Sequence, residues 1–350
     1  MKAICEKSDC FFLELWESLM KKKFILLMIL CFVFTFAFGN DTLFYVSGGN
    51  LVPAEEKDTS IEMKYEVITI VLEPEYYEVT VDFSFYNYGD TVNLLVGFPI
   101  FEVGAGGHGK IYDFKCWTNG ELKDYSDVPL VRSFSNINYD EPELKNAYTR
   151  TITFPGNAMT NTRVQYKSEY GRNVGGKIVK YLYGTGSSWQ GDIGEITLIL
   201  ENNLPYDYPA SFILPEGKRT EFKRVKDNRW EVRFYNIEPE YTECITIYAT
   251  DILHDTGPKA FPRYGYRFCD KKATTESLFW YTKPQLRILR NTIYALHGYD
   301  FKSEDLKELF ISWGKNWSPS YKVNPNFSEE ELSEIEKYNI QLIYAEENRR

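Results

Sequence analysis

Histidine is nearly absent from this sequence, with three in 350 residues, and cysteine is sparse, with six. No HExxH, GxSxG or CxxC spacing occurs. The familiar zinc-peptidase, serine-hydrolase and structural-zinc constellations are therefore excluded, and neither a metal nor another cofactor is expected. Three of the cysteines, Cys5, Cys10 and Cys31, lie before residue 40, which leaves Cys116, Cys244 and Cys269. Three thiols cannot pair completely, so a disulfide-dense scaffold is excluded, while one disulfide beside a free thiol stays open. Positive charge is also short, with 40 Lys and Arg against 50 Asp and Glu. Removing residues 1–39, with five Lys and four acidic side chains, leaves 35 basic against 46 acidic. Such an acidic chain does not release counterions from a phosphate backbone, so nucleic acid is excluded as a partner.

Aromatic residues are abundant, at 17% of the chain. They suit half-buried sheet surfaces and wet binding faces. The 43% hydrophobic and 26% charged content is that of a folded protein, and 350 residues is more than one core usually organises.

Residues 20–39 have the layout of an export signal. Lys21, Lys22 and Lys23 form the positive region, Phe24 to Phe36 the apolar run, and Ala37 and Gly39 the small residues of a cleavage site. The apolar run is shorter than the roughly 20 residues that span a bilayer, so cleavage after Gly39 is expected and no stable membrane span remains. Residues 1–19 carry Glu6, Lys7, Asp9, Glu14 and Glu17 ahead of the positive region, and Met20 is read as the translation start. Lipidation at Cys31 is set aside, because bulky Leu30 precedes it.

From residue 40 to 251 the periodicity is that of strands. In YEVTVDFSFYN, Val79, Val81, Phe83 and Phe85 share one face and Glu78, Thr80, Asp82 and Ser84 the other. Comparable segments recur near 61–72, 92–98, 148–154, 163–169, 177–183, 195–201, 229–235 and 242–250, and Asn119-Gly120 predicts a two-residue hairpin turn. The expected fold class is a mainly β N-terminal body, antiparallel and sandwich-like, plus a small all-α C-terminal module. Whether the body holds one sandwich or two is open at this point. Residues 252–283, rich in Pro, Gly and aromatics, read as a connector, and 284–350 as the helical module. Leu286, Leu289, Ile293 and Leu296 make one helical stripe, while Ser303 and Ser328 are placed as N-caps, Ser328 in a capping box with Glu331.

The string IYALHGYDFKSEDLKELF, then Trp317, then NPNFSEEELSEIEKYNIQLI, resembles the YARHG domain over about residues 286–345. The naming motif is Tyr294-Ala295-Leu296-His297-Gly298, with Leu296 in place of the family's Arg, and Glu336 and Asn339 match its E-x-x-N. The resemblance implies a module near the C-terminus of secreted or surface bacterial proteins, with no established catalytic activity. The β region resembles an exported domain seen upstream of this module, through SGGNLVP at 47–53, LLVGFP at 94–99, Thr185-Gly186, Trp189, Gly191 and Gly194. That resemblance implies export and fold and no chemistry.

Four residues are candidates for binding: Trp189, Tyr294, His297 and Trp317. Trp189, set among glycines and small polar residues, either stacks on a sugar ring or plugs the sandwich, and plugging is preferred. His297 beside Gly298 fits a helix C-cap better than a general acid or base. GAGGHGK at 104–110 lacks Walker spacing and reads as a loop, and one histidine between Asp251 and Asp255 is weak evidence for a metal. No catalytic residue is assigned. The expected function is a non-catalytic binding protein, periplasmic, cell-surface or extracellular, with peptidoglycan or another envelope protein as partner. The alternative is an envelope hydrolase whose carboxylates lie hidden in the β body.

Overall fold

The structure, a computed structural model, describes residues 37–39, 41–47, 50–53, 59–102, 111–129, 143–173, 176–205, 210–213, 220–240, 243–250, 268, 271–314 and 321–350. In chain order the strands begin with β1 (Ala37–Gly39), β2 (Thr42–Ser47), β3 (Asn50–Pro53), β4 (Ile61–Leu72), β5 (Tyr77–Asn87) and β6 (Val92–Glu102). Next come β7 (Ile111–Thr118), β8 (Glu121–Lys123), β9 (Ser126–Pro129), β10 (Glu143–Phe154), β11 (Ala158–Ser168) and β12 (Gly171–Asn173). The last are β13 (Gly176–Leu182), β14 (Ile193–Asn202), β15 (Ala210–Ile213), β16 (Thr220–Lys226), β17 (Arg229–Ile237) and β18 (Cys244–Thr250). Helices α1 (Lys283–Leu296), α2 (Glu304–Gly314) and α3 (Glu334–Arg349) follow.

The strands form two sheets. One has the order β15-β18-β13-β1-β6-β10-β9, with β12 beside β13, β2 beside β6 and β3 beside β2; the other runs β16-β17-β14-β4-β5-β11-β7-β8. A single hydrophobic core draws on both, so the body is one sandwich. Pairing is mostly antiparallel, as expected, but β4 and β14 run parallel over eight residue pairs and β1 joins β13 in parallel. The strand β1 comprises the residues just before the expected cleavage point, and its backbone bridges β13 and β6.

Local sequence explains the strands. In β5 burial alternates along the whole strand, with Tyr77, Val79, Val81, Phe83 and Phe85 inward. Asn119 and Gly120 both take positive φ, at 49° and 84°, and close the β7–β8 hairpin as the dipeptide predicts. Strand β4 breaks its alternation at a bulge between Met63 and Tyr65, which turns Glu66 into the core instead of out to water. There Glu66 accepts a hydrogen bond from the Tyr181 hydroxyl of the facing sheet at 2.8 Å. Burial and the Glu66 carboxylate push the Tyr181 phenol well above its ordinary pKa, so it stays a donor. Gly194 in the neighbouring strand makes room for the bulge, since a Cβ there would stand 2.7 Å from the Lys64 carbonyl oxygen.

A second buried carboxylate ties the layers together. Asp41, 0% exposed, accepts two hydrogen bonds from the Arg150 guanidinium of β10, at 2.6 and 3.3 Å, and one from the Thr162 hydroxyl of β11 at 3.0 Å. Its backbone carbonyl accepts from the Trp189 indole at 2.9 Å, and Thr42 donates to Ser188 in the same 3₁₀ turn, Gly184–Ser188, that precedes Trp189.

Removing one member of a buried pair strands the other charge, at a typical cost of about 3–5 kcal/mol. Asp41→Ala is therefore expected to lower unfolding free energy by about that amount. The double change Asp41→Leu, Arg150→Met should cost far less, because it leaves no buried charge. Urea unfolding followed by tryptophan fluorescence compares the two, and equal losses would count against the ion pair as the anchor.

Candidate functional site

The sequence-predicted residues fall in different places. Trp189 is 1% exposed and wedged against Phe85 and Phe154, at ring centroid distances of 4.5 and 5.8 Å. It plugs the sandwich, the role preferred for it from the sequence, and offers no ring face to a ligand, so Trp189 is not a binding residue. Trp317, the loop 104–110 and Asp251, His254 and Asp255 lie outside the described residues. Cys116 and Cys244 are free thiols, and Cys269 lies outside the described residues. Among the described residues no cluster of three or more His, Cys, Asp or Glu side chains could hold a metal ion.

Tyr294 and His297 sit together at the C-terminus of α1. Its N-terminus is a capping box of Thr282 and Gln285, with Pro284 inside the first turn. At the other end Gly298 takes φ 76°, its N–H donates to the Ala295 carbonyl, and the Tyr299 N–H donates to the Tyr294 carbonyl. This is a Schellman motif, and the Tyr294 and Tyr299 rings supply its apolar contact with centroids 5.5 Å apart. The motif Tyr294-Ala295-Leu296-His297-Gly298 is thus the last turn of a helix and its stop. A Cβ on Gly298 would lie 2.6 Å from the Lys322 carbonyl oxygen, so only glycine allows the 321–328 segment to fold over the turn.

The helix cap is tied to α3. His297 Nε2 lies 2.9 Å from Glu336 Oε1, and the other carboxylate oxygen of Glu336 accepts the Ser333 N–H at 2.8 Å, closing the capping box of α3. One carboxylate thereby caps one helix and fastens the end of another. Burial raises the Glu336 pKa, but hydrogen bonds from His297 and Ser333 outweigh it and hold the carboxyl below its ordinary value. One turn on, the Asn339 side chain accepts from the Ala273 N–H at 2.7 Å and donates to the carbonyls of Phe268 and Lys271. Ser328 caps only a single 3₁₀ turn, Glu329–Glu331, and the long helix starts from Ser333 instead. Both serines begin an S-x-x-E string, so pattern alone does not choose between them.

Residues assigned to a connector by sequence supply part of the module's core. Phe268, Ala273, Leu278 and Tyr281 pack with Leu286, Leu289, Ile293, Phe310 and Ile343. The same stretch docks on the β16–β17 hairpin. Arg224 donates to the carbonyls of Phe279 and Tyr281 and stacks on Trp230, which packs against Trp280. Asp227 accepts the Lys283 N–H at 3.0 Å. Burial, then the nearby Arg350, lowers the Arg224 pKa to about 10, which leaves the guanidinium charged at neutral pH.

The outer face of the eight-stranded sheet was not singled out by sequence reasoning. Most of it is a ladder of ion pairs, Asp82–Arg163, Glu78–Lys167 and Glu201–Arg229 among them. One end differs. There Tyr65 and Tyr88 are 53% and 51% exposed, Tyr86 meets Tyr88 edge to face at 4.6 Å, and Met159 is 42% exposed. The available signal was Tyr86 at an outward register position of β5, in phase with Glu78, Thr80, Asp82 and Ser84.

The geometry defines a two-sheet β body with a small helical module seated on one hairpin. That module is a YARHG domain: residues 266–348 match the family's model, a span that includes the docking stretch. No curated protein sequence matches the chain. Among solved structures, a Legionella pneumophila protein with a provisional nutrient-binding assignment aligns over 89% of this chain and 99% of its own, at 22% identity and TM-score 0.50. That likeness speaks for the fold alone. An M1 zinc metallopeptidase from Deinococcus radiodurans aligns at 8% identity and TM-score 0.30, over 54% of this chain and 42% of the peptidase. The chain spans less than half of that enzyme, and such a likeness carries no argument. Among the described residues no helix is long and apolar enough to cross a membrane.

Two outcomes are expected for the module. Residues 284–350 alone should fail to fold cooperatively by circular dichroism, because they lack four core side chains and leave Asn339 without its backbone partners, whereas 266–350 should fold. Glu336→Gln should cost about 1.5–3 kcal/mol at neutral pH, the range for hydrogen bonds to a charged group. Because the folded pKa of Glu336 is depressed, its contribution is complete above the ordinary glutamate value of about 4.3 and is lost as pH falls through the folded value. The gap in melting temperature between wild type and Glu336→Gln should therefore close on acidification, and a constant gap would remove the carboxylate from this role.

Proposed function

We propose that this chain is an exported protein of the bacterial envelope whose β body binds a cell-wall polymer without acting on it chemically. The observation that carries this reading is the contrast between the two sides of the eight-stranded sheet. Inside, Asp41 and Glu66 are both fully enclosed and hydrogen-bonded across the layers, so a polymer does not reach them and they serve the fold. Outside, exposed aromatic rings gather at one end of a polar surface. Clustered exposed rings mark recognition surfaces more often than scattered ones do. The signal-like segment at 20–39 and the YARHG domain support export. The provisional nutrient-binding assignment of the Legionella protein agrees with binding rather than turnover.

Co-sedimentation with isolated peptidoglycan sacculi tests this, using the chain from Ala37 onward, which keeps β1. Pelleting with the sacculi, without release of soluble fragments, is the expected result. A clear supernatant would move the partner to another envelope protein, and release of soluble wall fragments would make the chain a hydrolase.

A further inference from the structure

Resting on the reading of a wall-polymer binder, we propose that Tyr65, Tyr86 and Tyr88, with Met159, form a stacking platform for a neutral saccharide built of N-acetylated hexosamines. Strand register places Tyr65, Tyr86 and Met159 on one face, and the Tyr88 ring, just past the end of β5, joins them through its edge-to-face contact with Tyr86. Met159 pairs with Tyr86, and Tyr86 pairs with Glu62, so a single row crosses β11, β5 and β4. Tyr65 pairs with Ser84, two residues before Tyr86, which makes Tyr65 a diagonal neighbour of Tyr86 within reach of an aromatic side chain. The bulge at Lys64 sets this arrangement, since it shifts the phase of β4 so that Tyr65 faces out while Glu66 faces in.

The platform is held rigid from below. Asn87, buried between Tyr86 and Tyr88 in sequence, uses its whole amide: Oδ1 accepts from Ser60 at 2.7 Å and from the Gly89 N–H at 2.9 Å, and Nδ2 donates to the carbonyls of Asp90 and Phe154 at 2.8 and 3.0 Å. The backbone that presents the two rings is therefore fixed before any ligand arrives, which lowers the ordering cost of binding. A tyrosine pair also stabilises adjacent strands, but that role asks for contact between rings and not for two of them to stay half in water.

Charge selects the occupant. Lys64 lies over the Tyr88 ring, 5.2 Å from its centroid, and its ammonium bonds Glu62 at 2.6 Å. The pair is internally neutralised, on a chain of net charge −10. Among the described residues the Lys64 ammonium at the rings is already paired, and the carboxylates of Glu195, beside Tyr65, and Asp90, just past Tyr88, further disfavour a polyanion. A neutral sugar matches such a surface: its C–H face lies on the exposed rings and Met159 accepts the acetamido methyl. The ring hydroxyls then meet Lys64, Glu62 and the Ser84–Asn161 pair at the rim.

The test compares wild type, Tyr65→Ala/Tyr88→Ala and Tyr65→Phe/Tyr88→Phe, all from Ala37 onward so that β1 is kept, against a tetramer of N-acetylglucosamine by calorimetry and against sacculi by co-sedimentation. Both tyrosines are more than half exposed, so the alanine variant should keep its melting temperature. At least about tenfold weaker tetramer binding is expected for the alanine variant, with the phenylalanine variant close to wild type. Equal tetramer binding by wild type and the alanine variant, or none by wild type, overturns the platform. Sacculi report on the broader reading separately: if wild type and the alanine variant pellet alike, wall binding stands and the platform falls. If wild type stays in solution yet its tetramer binding needs the rings, the platform stands and its polymer lies outside the wall.

Discussion

A carboxylate without access to water sits between the two sheets of this protein, and much of the body is arranged around it. Asp41 takes hydrogen bonds from Arg150 in one sheet and Thr162 in the other, while its own backbone carbonyl receives the indole of Trp189. An apolar sandwich core is tolerant of sliding, because dispersion contacts have little direction. An ion pair inside it is not, since any displacement leaves charge unpaired in a medium that solvates it poorly. Asp41 lies between β1 and β2, so the layers are pinned beside the first described strands.

Glu66 and Tyr181 repeat the device a short way off, and the cost of burying that carboxylate connects the inside of the sheet to its outside. The bulge that turns Glu66 inward is the same irregularity that turns Tyr65 outward. Gly194 is needed beside it because the Lys64 carbonyl comes close to the next strand. A single extra residue in β4 thus fixes one interior hydrogen bond and one exterior ring together, a coupling that regular alternation cannot give.

The YARHG domain follows the same economy on a smaller scale. Glu336 caps α3 and holds the C-cap histidine of α1, and Asn339 gathers the segment that enters the module. The motif residues Tyr294, His297, Gly298, Glu336 and Asn339 all have structural work in this chain, as helix stop, cap partner, left-handed residue and backbone clamp. Leu296, at the position of the family's arginine, lies half-buried in the last turn of α1, so the turn forms without a guanidinium there.

The sequence by itself determined the strands β4 to β6, β10, β11, β13, β14, β17 and β18, the hairpin at Asn119-Gly120, the helix stop at Gly298 and the β-then-α order, because each rests on a short-range period or a local backbone requirement. It carried Leu286, Leu289 and Ile293 of the core stripe of α1 for the same reason, while Leu296 stays half-buried outside that core. What only the tertiary structure decided are the parts that join distant residues: Asp41 with Arg150, Glu66 with Tyr181, His297 with Glu336, and Arg224 with the stretch before α1. A charged residue in a strand reads as solvent-facing until a bulge reverses it, as for Glu66. Tyr86 was legible as outward from the phase of β5, whereas its meeting with Tyr88, Met159 and Tyr65 depends on how the strands pair. Period and propensity act over a few residues, whereas burial is settled by what the facing layer brings and a surface cluster by which strands pair, and that is the physical reason the buried pairs and the grouping of the outer rings were not legible in the sequence.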